Sequence, residues 1–280
     1  MESKKVWFVT GASKGLGLSL VKKLLSDGYR VAATSRNLSD LSKAVDHHSD
    51  QFLPLAVNIK NEESVHEAIE KVISTFGKID VVVNNAGYGL LGGLEELTDE
   101  EARENFDINV FGSLNVIRKV LPYLREQQSG NILNISSVGG FTGSAPGGGI
   151  YCATKFAVNG FSEALYSEVK PFGIKVTIVM PGYFRTNFLS EGSLAVPKNQ
   201  MDAYQNVRDM VNLHQNDMDQ QQAGDPEKAA AAMIQVVSDP NPPLNLFLGE
   251  DAYNAANSKI AAVQKDLESW KTLTTSTAFE

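Results

Sequence analysis

The chain has 280 residues, 42% of them hydrophobic and 21% charged, with a net charge of -8. That is enough apolar material for one sizeable core, and the acidic balance argues against a nucleic-acid surface, which needs clustered positive potential. No stretch approaches the roughly 20 apolar residues of a membrane helix, and one cysteine, Cys152, with four histidines leaves neither a disulfide nor a metal-ligand cluster.

Polar Met1 to Lys5 lead at once into a strand pattern, so no signal-peptide core is expected and the compartment expected is the cytoplasm. Short apolar runs, most of them rich in β-branched residues, follow at Val6 to Thr10, Arg30 to Thr34, Phe52 to Ala56, Val81 to Asn84, Asn131 to Ile135, Lys175 to Met180 and Leu244 to Leu248. Between them, Leu16 to Leu25, Ser64 to Phe76, Ala102 to Leu124 and Ala153 to Val169 carry apolar residues at helical spacing. Strict alternation predicts an α/β fold, Rossmann-like: one domain over 1–280, with a doubly wound parallel sheet of seven strands and helices on both faces.

Two regions break the rhythm. Phe188 to Asp225 is rich in Asn, Gln, Asp and Met with weak periodicity, which predicts a substrate lid that is mobile until ligands bind. From Gly249 onward Ala, Ile, Val and Leu recur at helical spacing, predicting a helical tail over 249–280.

The first strand runs into Thr10-Gly11-Ala12-Ser13-Lys14-Gly15-Leu16-Gly17, with a helix beginning inside it. Glycines there allow a tight turn and close backbone approach to a pyrophosphate, whose charge meets the helix N-terminus. The second strand ends in Ser35-Arg36, where an NAD site would hold an acid for the ribose hydroxyls. With Lys14 as a second cation, the pattern predicts NADP(H) in preference to NAD(H).

Tyr151 and Lys155 are four apart and share a helix face. A phenol titrates near 10, and a neighbouring ammonium that favours phenolate would let it exchange a proton nearer neutrality. Ser137 lies upstream at the end of the fifth strand, and the carboxyl ends of strands are where such sheets bind ligands. Cys152, without a nearby His, reads as a packing residue.

These residues resemble the short-chain dehydrogenase/reductase family in its single-domain branch, from Val6 to about Leu248. The glycine turn matches TGxxxGxG, Asn84-Asn85-Ala86-Gly87 matches NNAG, Tyr151 to Lys155 matches YxxxK, and Pro181-Gly182 with Thr186 matches the segment that meets the nicotinamide. The resemblance implies Asn109, Ser137, Tyr151 and Lys155 as the catalytic set. Tyr151 would transfer the proton, Ser137 would bind the substrate oxygen, Lys155 would hold the ribose and lower the Tyr151 pKa, and Asn109 would anchor a relay water.

It further implies cofactor contacts from Gly11, Ser13, Lys14, Gly15, Leu16, Gly17, Ser35, Arg36, Asn58 and Ile59. Asn85, Ala86, Gly87, Tyr151, Lys155, Pro181, Gly182, Phe184 and Thr186 complete that set. Asn58 stands where many relatives carry Asp for the adenine amino group, and an amide oxygen can accept that bond. The Ser137 to Tyr151 spacing is one residue longer than is usual, to be absorbed between Gly143 and Gly149.

The expected reaction is hydride exchange between nicotinamide and a small-molecule ketone, aldehyde or secondary alcohol. Substrate would meet Ser137 and Tyr151, with Tyr88, Phe141, Tyr183 and Phe188 as apolar walls. A sugar-nucleotide epimerase would use a TGxxGxxG turn and a larger C-terminal domain, and a non-catalytic NADP(H) sensor would be expected to lose Tyr or Lys. Relatives pair through the helices that hold Asn109 and Tyr151, so a homodimer or homotetramer is expected, with no nucleic-acid, membrane or metal partner.

Overall fold

The computed structural model describes residues 4–190 and 192–279. Met1, Glu2, Ser3 and Glu280 of the expected domain, and Glu191 of the expected lid, lie outside the described residues.

The chain opens with β1 (Val6–Val9), α1 (Gly15–Ser26), β2 (Arg30–Ser35), α2 (Leu38–Val45), β3 (Phe52–Ala56) and α3 (Glu62–Phe76). It continues with β4 (Val81–Asn84), α4 (Asp99–Phe106), α5 (Gly112–Gln127), β5 (Gly130–Ile135), α6 (Gly149–Val169) and β6 (Ile174–Pro181). The last part holds α7 (Gln205–Asn212), α8 (Pro226–Ser238), β7 (Asn245–Leu248), α9 (Glu250–Ser269) and α10 (Lys271–Thr275).

The seven strands form one parallel sheet in the order β3, β2, β1, β4, β5, β6, β7. Because side chains alternate across a strand, β1 sends Trp7 and Val9 to one face and Val6 and Phe8 to the other. The first face is covered by α1 and α8 through Leu20, Val21, Leu24, Met233 and Val237. The second is covered by α3, α5 and α6 through Val65, Ile69, Val116, Val120 and Leu165. Both faces being buried explains why the strands read as continuous apolar runs. The strand order reverses between β1 and β4, which opens a crevice at the carboxyl ends of the sheet.

Between α4 and α5 one turn, Asp107–Phe111, widens to π-helical pitch and carries Asn109. Such single wide turns re-aim a side chain inside an otherwise regular helix and recur at functional sites. The segment 188–225 is built of a two-residue strand, Leu194–Ala195, paired with Gly89–Leu90, followed by α7 and a second wide turn, Leu213–Met218.

Candidate active site

A cleft of about 1070 Å³ runs along the carboxyl ends of the strands. At its β1 end the chain turns through Gly11 at φ 65° and Gly15 at φ 59°, a region that costs L-residues strain. A methyl at Gly11 would come within 2.7 Å of Ala86 Cα, and one at Gly17 within 2.4 Å of Asn85 Nδ2, so both glycines serve packing. Gly15 faces the cleft, with Thr186 across it.

The NNAG segment holds this turn. Asn85 Nδ2 donates to the Thr10 and Gly11 carbonyls, each at 2.9 Å, and the Asn85 and Ala86 amides donate to Thr10 Oγ1 at 3.0 and 3.1 Å. Helix α1 then begins with no capping side chain and no acid in its first turn, whereas α2, α3, α4 and α8 are capped by Asn37, Asn61, Thr98 and Asp225. Free amides at the positive end of a helix dipole, walled by glycine, fit a pyrophosphate.

Beside this turn, Lys14 and Arg36 line the cleft with Ser35. Burial and then the Arg36 charge push the Lys14 ammonium below its ordinary value. Two cations crowding each other around a cleft wall leave positive potential there for an anion to neutralise. Lys14 Nζ also donates to the Gly192 carbonyl at 2.9 Å, tying the glycine turn to the opposite wall. Asn58 and Ile59 line the adjoining wall. Asn58 Oδ1 already accepts from the Lys60 amide at 3.2 Å, leaving one lone pair for an adenine amino group.

Ser137, Tyr151 and Lys155 meet on the cleft floor. Lys155 is buried and donates to the Ile135 carbonyl at 2.9 Å, with Nζ 5.8 Å from the Tyr151 ring centre. Burial, with no acidic partner to oppose it, pushes Lys155 down to about 8. Burial likewise pushes the Tyr151 phenol far above its ordinary value, a hydrogen bond with Ser137 opposing it. The net direction for Tyr151 is thus opposite to the one expected: desolvation of the phenolate outweighs what Lys155, whose ammonium donates to a backbone carbonyl, contributes to it.

Asn109 acts behind this floor. Its Oδ1 accepts from the Tyr88 amide at 3.0 Å, and its Nδ2 donates to the Tyr88 carbonyl and to Thr154 Oγ1, each at 3.1 Å. Thr154 in turn donates to the Tyr151 carbonyl at 2.7 Å. Asn109 thus braces the strand end before it and the turn of α6 that carries Tyr151. The longer spacing ahead of Tyr151 is taken up by a loop with Gly143 at φ 59° and Gly147 at φ 77°.

Pro181, Gly182, Phe184 and Thr186 line the far side, as do Tyr88, Tyr183 and Phe188. Phe188 packs 6.1 Å from the Tyr151 ring. Phe141 is a correction. It is absent from the cleft wall and packs edge-on against Phe247 of β7, with ring centres 5.3 Å apart. Its position after Ser137 suggested the cleft, but the short 3-10 turn Val138–Gly140 directs it to the other side.

Three further wall residues lie outside the expected site set. His214, buried in the wide turn, donates from Nδ1 to the Met210 carbonyl at 2.8 Å, and its Nε2 hydrogen-bonds with the Tyr183 hydroxyl at 2.9 Å. Since a carbonyl only accepts, Nδ1 carries a proton. Gln222 is buried on the wall with neither side-chain atom paired among the described residues. Asp251 in the first turn of α9 accepts from the Tyr183 amide at 2.7 Å and so positions the segment after β6. Sequence spacing gave no signal for these contacts, since they join residues 31 and 68 positions apart.

Fold and site define a dinucleotide-binding α/β protein with a phenol, a hydroxyl and an ammonium gathered at the strand ends. The family model for short chain dehydrogenase matches residues 5–195. Oxidoreductase BOA17 of Botryotinia fuckeliana is 34% identical over 275 residues, covering 98% of this chain and 99% of that protein. The 3-ketodihydrosphingosine reductase of Bacteroides thetaiotaomicron is 38% identical over 245 residues, 88% of each chain. A solved short-chain dehydrogenase from Streptomyces avermitilis superposes with a TM-score of 0.88 at 36% identity, covering 98% of this chain and 100% of that one. Other solved neighbours were determined with NADH, 5-hydroxy-NADP or NADP+.

The chain belongs to the short-chain dehydrogenase family and is an oxidoreductase. Among the described residues, no helix is long and apolar enough to cross a membrane.

Proposed function

We propose that the chain is a cytoplasmic NADP(H)-dependent reductase or dehydrogenase acting on a ketone, aldehyde or secondary alcohol with an apolar body. The observation that carries this is the convergence of Ser137, Tyr151 and Lys155 on one cleft with the uncapped α1 terminus and the Lys14–Arg36 pair.

The nicotinamide, when bound, supplies or accepts the hydride. In the reducing direction Ser137 and Tyr151 donate hydrogen bonds to the carbonyl oxygen, and Tyr151 releases its proton to it as negative charge grows there. Its raised pKa keeps the phenol protonated at neutral pH, the form an acid needs. Lys155, at about 8, remains cationic at pH 7 and stabilises the phenolate that remains, while holding ribose hydroxyls. Asn109 is a positioning residue, fixing Tyr88 and, through Thr154, Tyr151.

Leu91, Phe188, Leu189 and Leu194 supply apolar wall, which suits an alkyl or ring substituent on the reacting carbon. A relative named 3-ketodihydrosphingosine reductase and a solved neighbour named 3-ketoacyl-(acyl-carrier-protein) reductase are in keeping with a ketone substrate. Gln222 offers a donor and an acceptor to the bound molecule. Exposed Phe111 and Phe156, near Asn109 and on α6, support a homodimer or homotetramer through α5 and α6.

The test is a thermal-shift series with NADPH and NADH, followed by NADPH oxidation with ketones and aldehydes of increasing chain length. Stabilisation by NADPH and turnover that rises with chain length are expected. Absence of NADPH binding at millimolar concentration refutes the reading.

A further inference from the structure

Helix α9 leaves the body soon after it starts. Ala252 and Ala256 are buried, whereas every described residue from Asn257 to Phe279 is exposed. At 1.5 Å per residue, Asn257 to Ser269 project about 20 Å. A helix surrounded by water is ordinarily polar all round. This one is not: Tyr253, Ile260, Val263, Leu267 and Trp270 are each between 43% and 64% exposed. With Ala256 they follow one another at steps of 3, 4, 3, 4 and 3 residues, the a and d positions of consecutive heptads. A contiguous apolar seam of this kind marks an interface.

We propose that this seam pairs with the same seam of a second copy, the two helices antiparallel about a two-fold axis between Ala261 and Ala262. In that register Ile260 meets the partner's Val263 and Tyr253 meets the partner's Trp270, while Leu267 lies over the turn where Ala256 is already buried against the body. The flanks agree in charge. Lys259 falls beside the partner's Asp266, and symmetry repeats the pair, while polar Asn257 falls beside the partner's Gln264. Neither Lys259 nor Asp266 has an ion-pair partner among the described residues.

The parallel alternative sets Lys259 against Gln264 and needs Asp266 to reach Lys271 beyond Trp270. There the backbone leaves the helix at φ -109° and ψ 11°. A lipid surface fits worse. Over Glu250 to Thr275 four acids, Glu250, Asp251, Asp266 and Glu268, face three lysines, Lys259, Lys265 and Lys271, so no cationic face draws anionic headgroups. The inference does not rest on the cofactor or the substrate.

The experiment is the mass of the full chain in solution by sedimentation at micromolar concentration. Ile260→Glu with Leu267→Glu alters exposed side chains only, so the circular dichroism should stay unchanged while the mass falls by a factor of two. That factor holds whether or not a second interface exists at α5 and α6. Lys259→Asp alone should raise the dissociation constant about tenfold, by losing two exposed pairs and opposing like charges. Adding Asp266→Lys should restore it. A monomeric parent, a mass unchanged by the two glutamates, or a charge swap that fails to restore pairing overturns the proposal. So does a monomeric parent that floats with anionic vesicles, which would make the seam a lipid contact.

Discussion

The floor and the roof of the cleft are held by different forces. On the floor, Tyr151, Lys155 and Ser137 sit where α6 is stitched to the end of β5 by short-range bonds, Lys155 Nζ to the Ile135 carbonyl and Ser136 Oγ to the Lys155 carbonyl. Both elements are locked into the core that fills one face of the sheet. The roof, 188–225, has only a small cluster of its own, Leu91, Leu189 and Leu194 with Phe188, Val211 and Met218 packed on it. Its polar ties include the short strand pair with Gly89–Leu90, the Lys14 bond to the Gly192 carbonyl, the His214 contact with Tyr183 and one buried carboxylate. Glu96 accepts from Arg208 and from the Gly93 and Met201 amides, the last two at 2.7 and 2.8 Å.

The difference teaches a division of labour. Proton transfer needs groups held to fractions of an ångström, which a packed sheet provides. Under the proposed function, substrate choice calls for a surface that can be changed or opened, and the thinly packed segment 188–225 is the wall that offers one.

The largest effect should come from the floor. Tyr151→Phe removes one hydroxyl, so turnover should fall by roughly 10² to 10⁴ while NADPH affinity and the melting temperature hold. Steady-state kinetics with a cofactor titration measure both. Retained turnover on a validated substrate would move the acid to another residue.

Breaking the roof's anchor comes next. Glu96→Gln leaves Arg208 buried without its carboxylate and should cost about 3 kcal/mol. Hydrogen exchange over 194–218 should quicken while exchange in β5 and α6 stays slow. If both regions loosen together, floor and roof form one cooperative unit and the contrast fails. The same anchor sets an acid limit. Burial pushes Glu96 up, but Arg208 and the two amides outweigh it and hold it below its ordinary 4.5. Stability from this group is full above that value and is lost as pH falls through the lower folded value.

At the adenosine end, Arg36→Asp should reverse or erase a preference for NADPH, with at least a tenfold change in the ratio of dissociation constants, since charge-assisted phosphate contacts contribute about 1.5 to 3 kcal/mol. Equal affinities for the two cofactors in the parent would remove the premise.

A change at Lys155 should act on stability with the opposite sign to that at Glu96, and by less. Moving Lys155 from 10.5 to about 8 corresponds to roughly 3 kcal/mol of unfavourable burial. Lys155→Met should therefore stabilise the cofactor-free protein at pH 7 by about 1 to 2 kcal/mol, after loss of the bond to Ile135, while abolishing turnover. Because the folded pKa is below the unfolded one, the unfolded chain binds more protons between pH 8 and 10.5. The parent should thus gain stability from this group as pH rises through that window, and the variant's advantage should shrink. Reduction by the parent, which needs the charged ammonium, should decline above about pH 8.

The sheet, its seven strands and the floor residues were legible because each is written in local pattern. Parallel strands buried on both faces must be apolar runs, glycine must stand where Gly11 and Gly15 take positive φ, and four-residue spacing puts Tyr151 and Lys155 on one helix face. Tertiary structure alone decided the rest. Phe141 left the cleft because one 3-10 turn reversed its direction, and burial pushes the Tyr151 phenol up because desolvation depends on everything that surrounds it, which a lysine four residues away does not report. His214, Gln222 and Asp251 reached the cleft through contacts between distant segments, and hydrophobic periodicity reports which face of an element is apolar without saying which distant element will meet it.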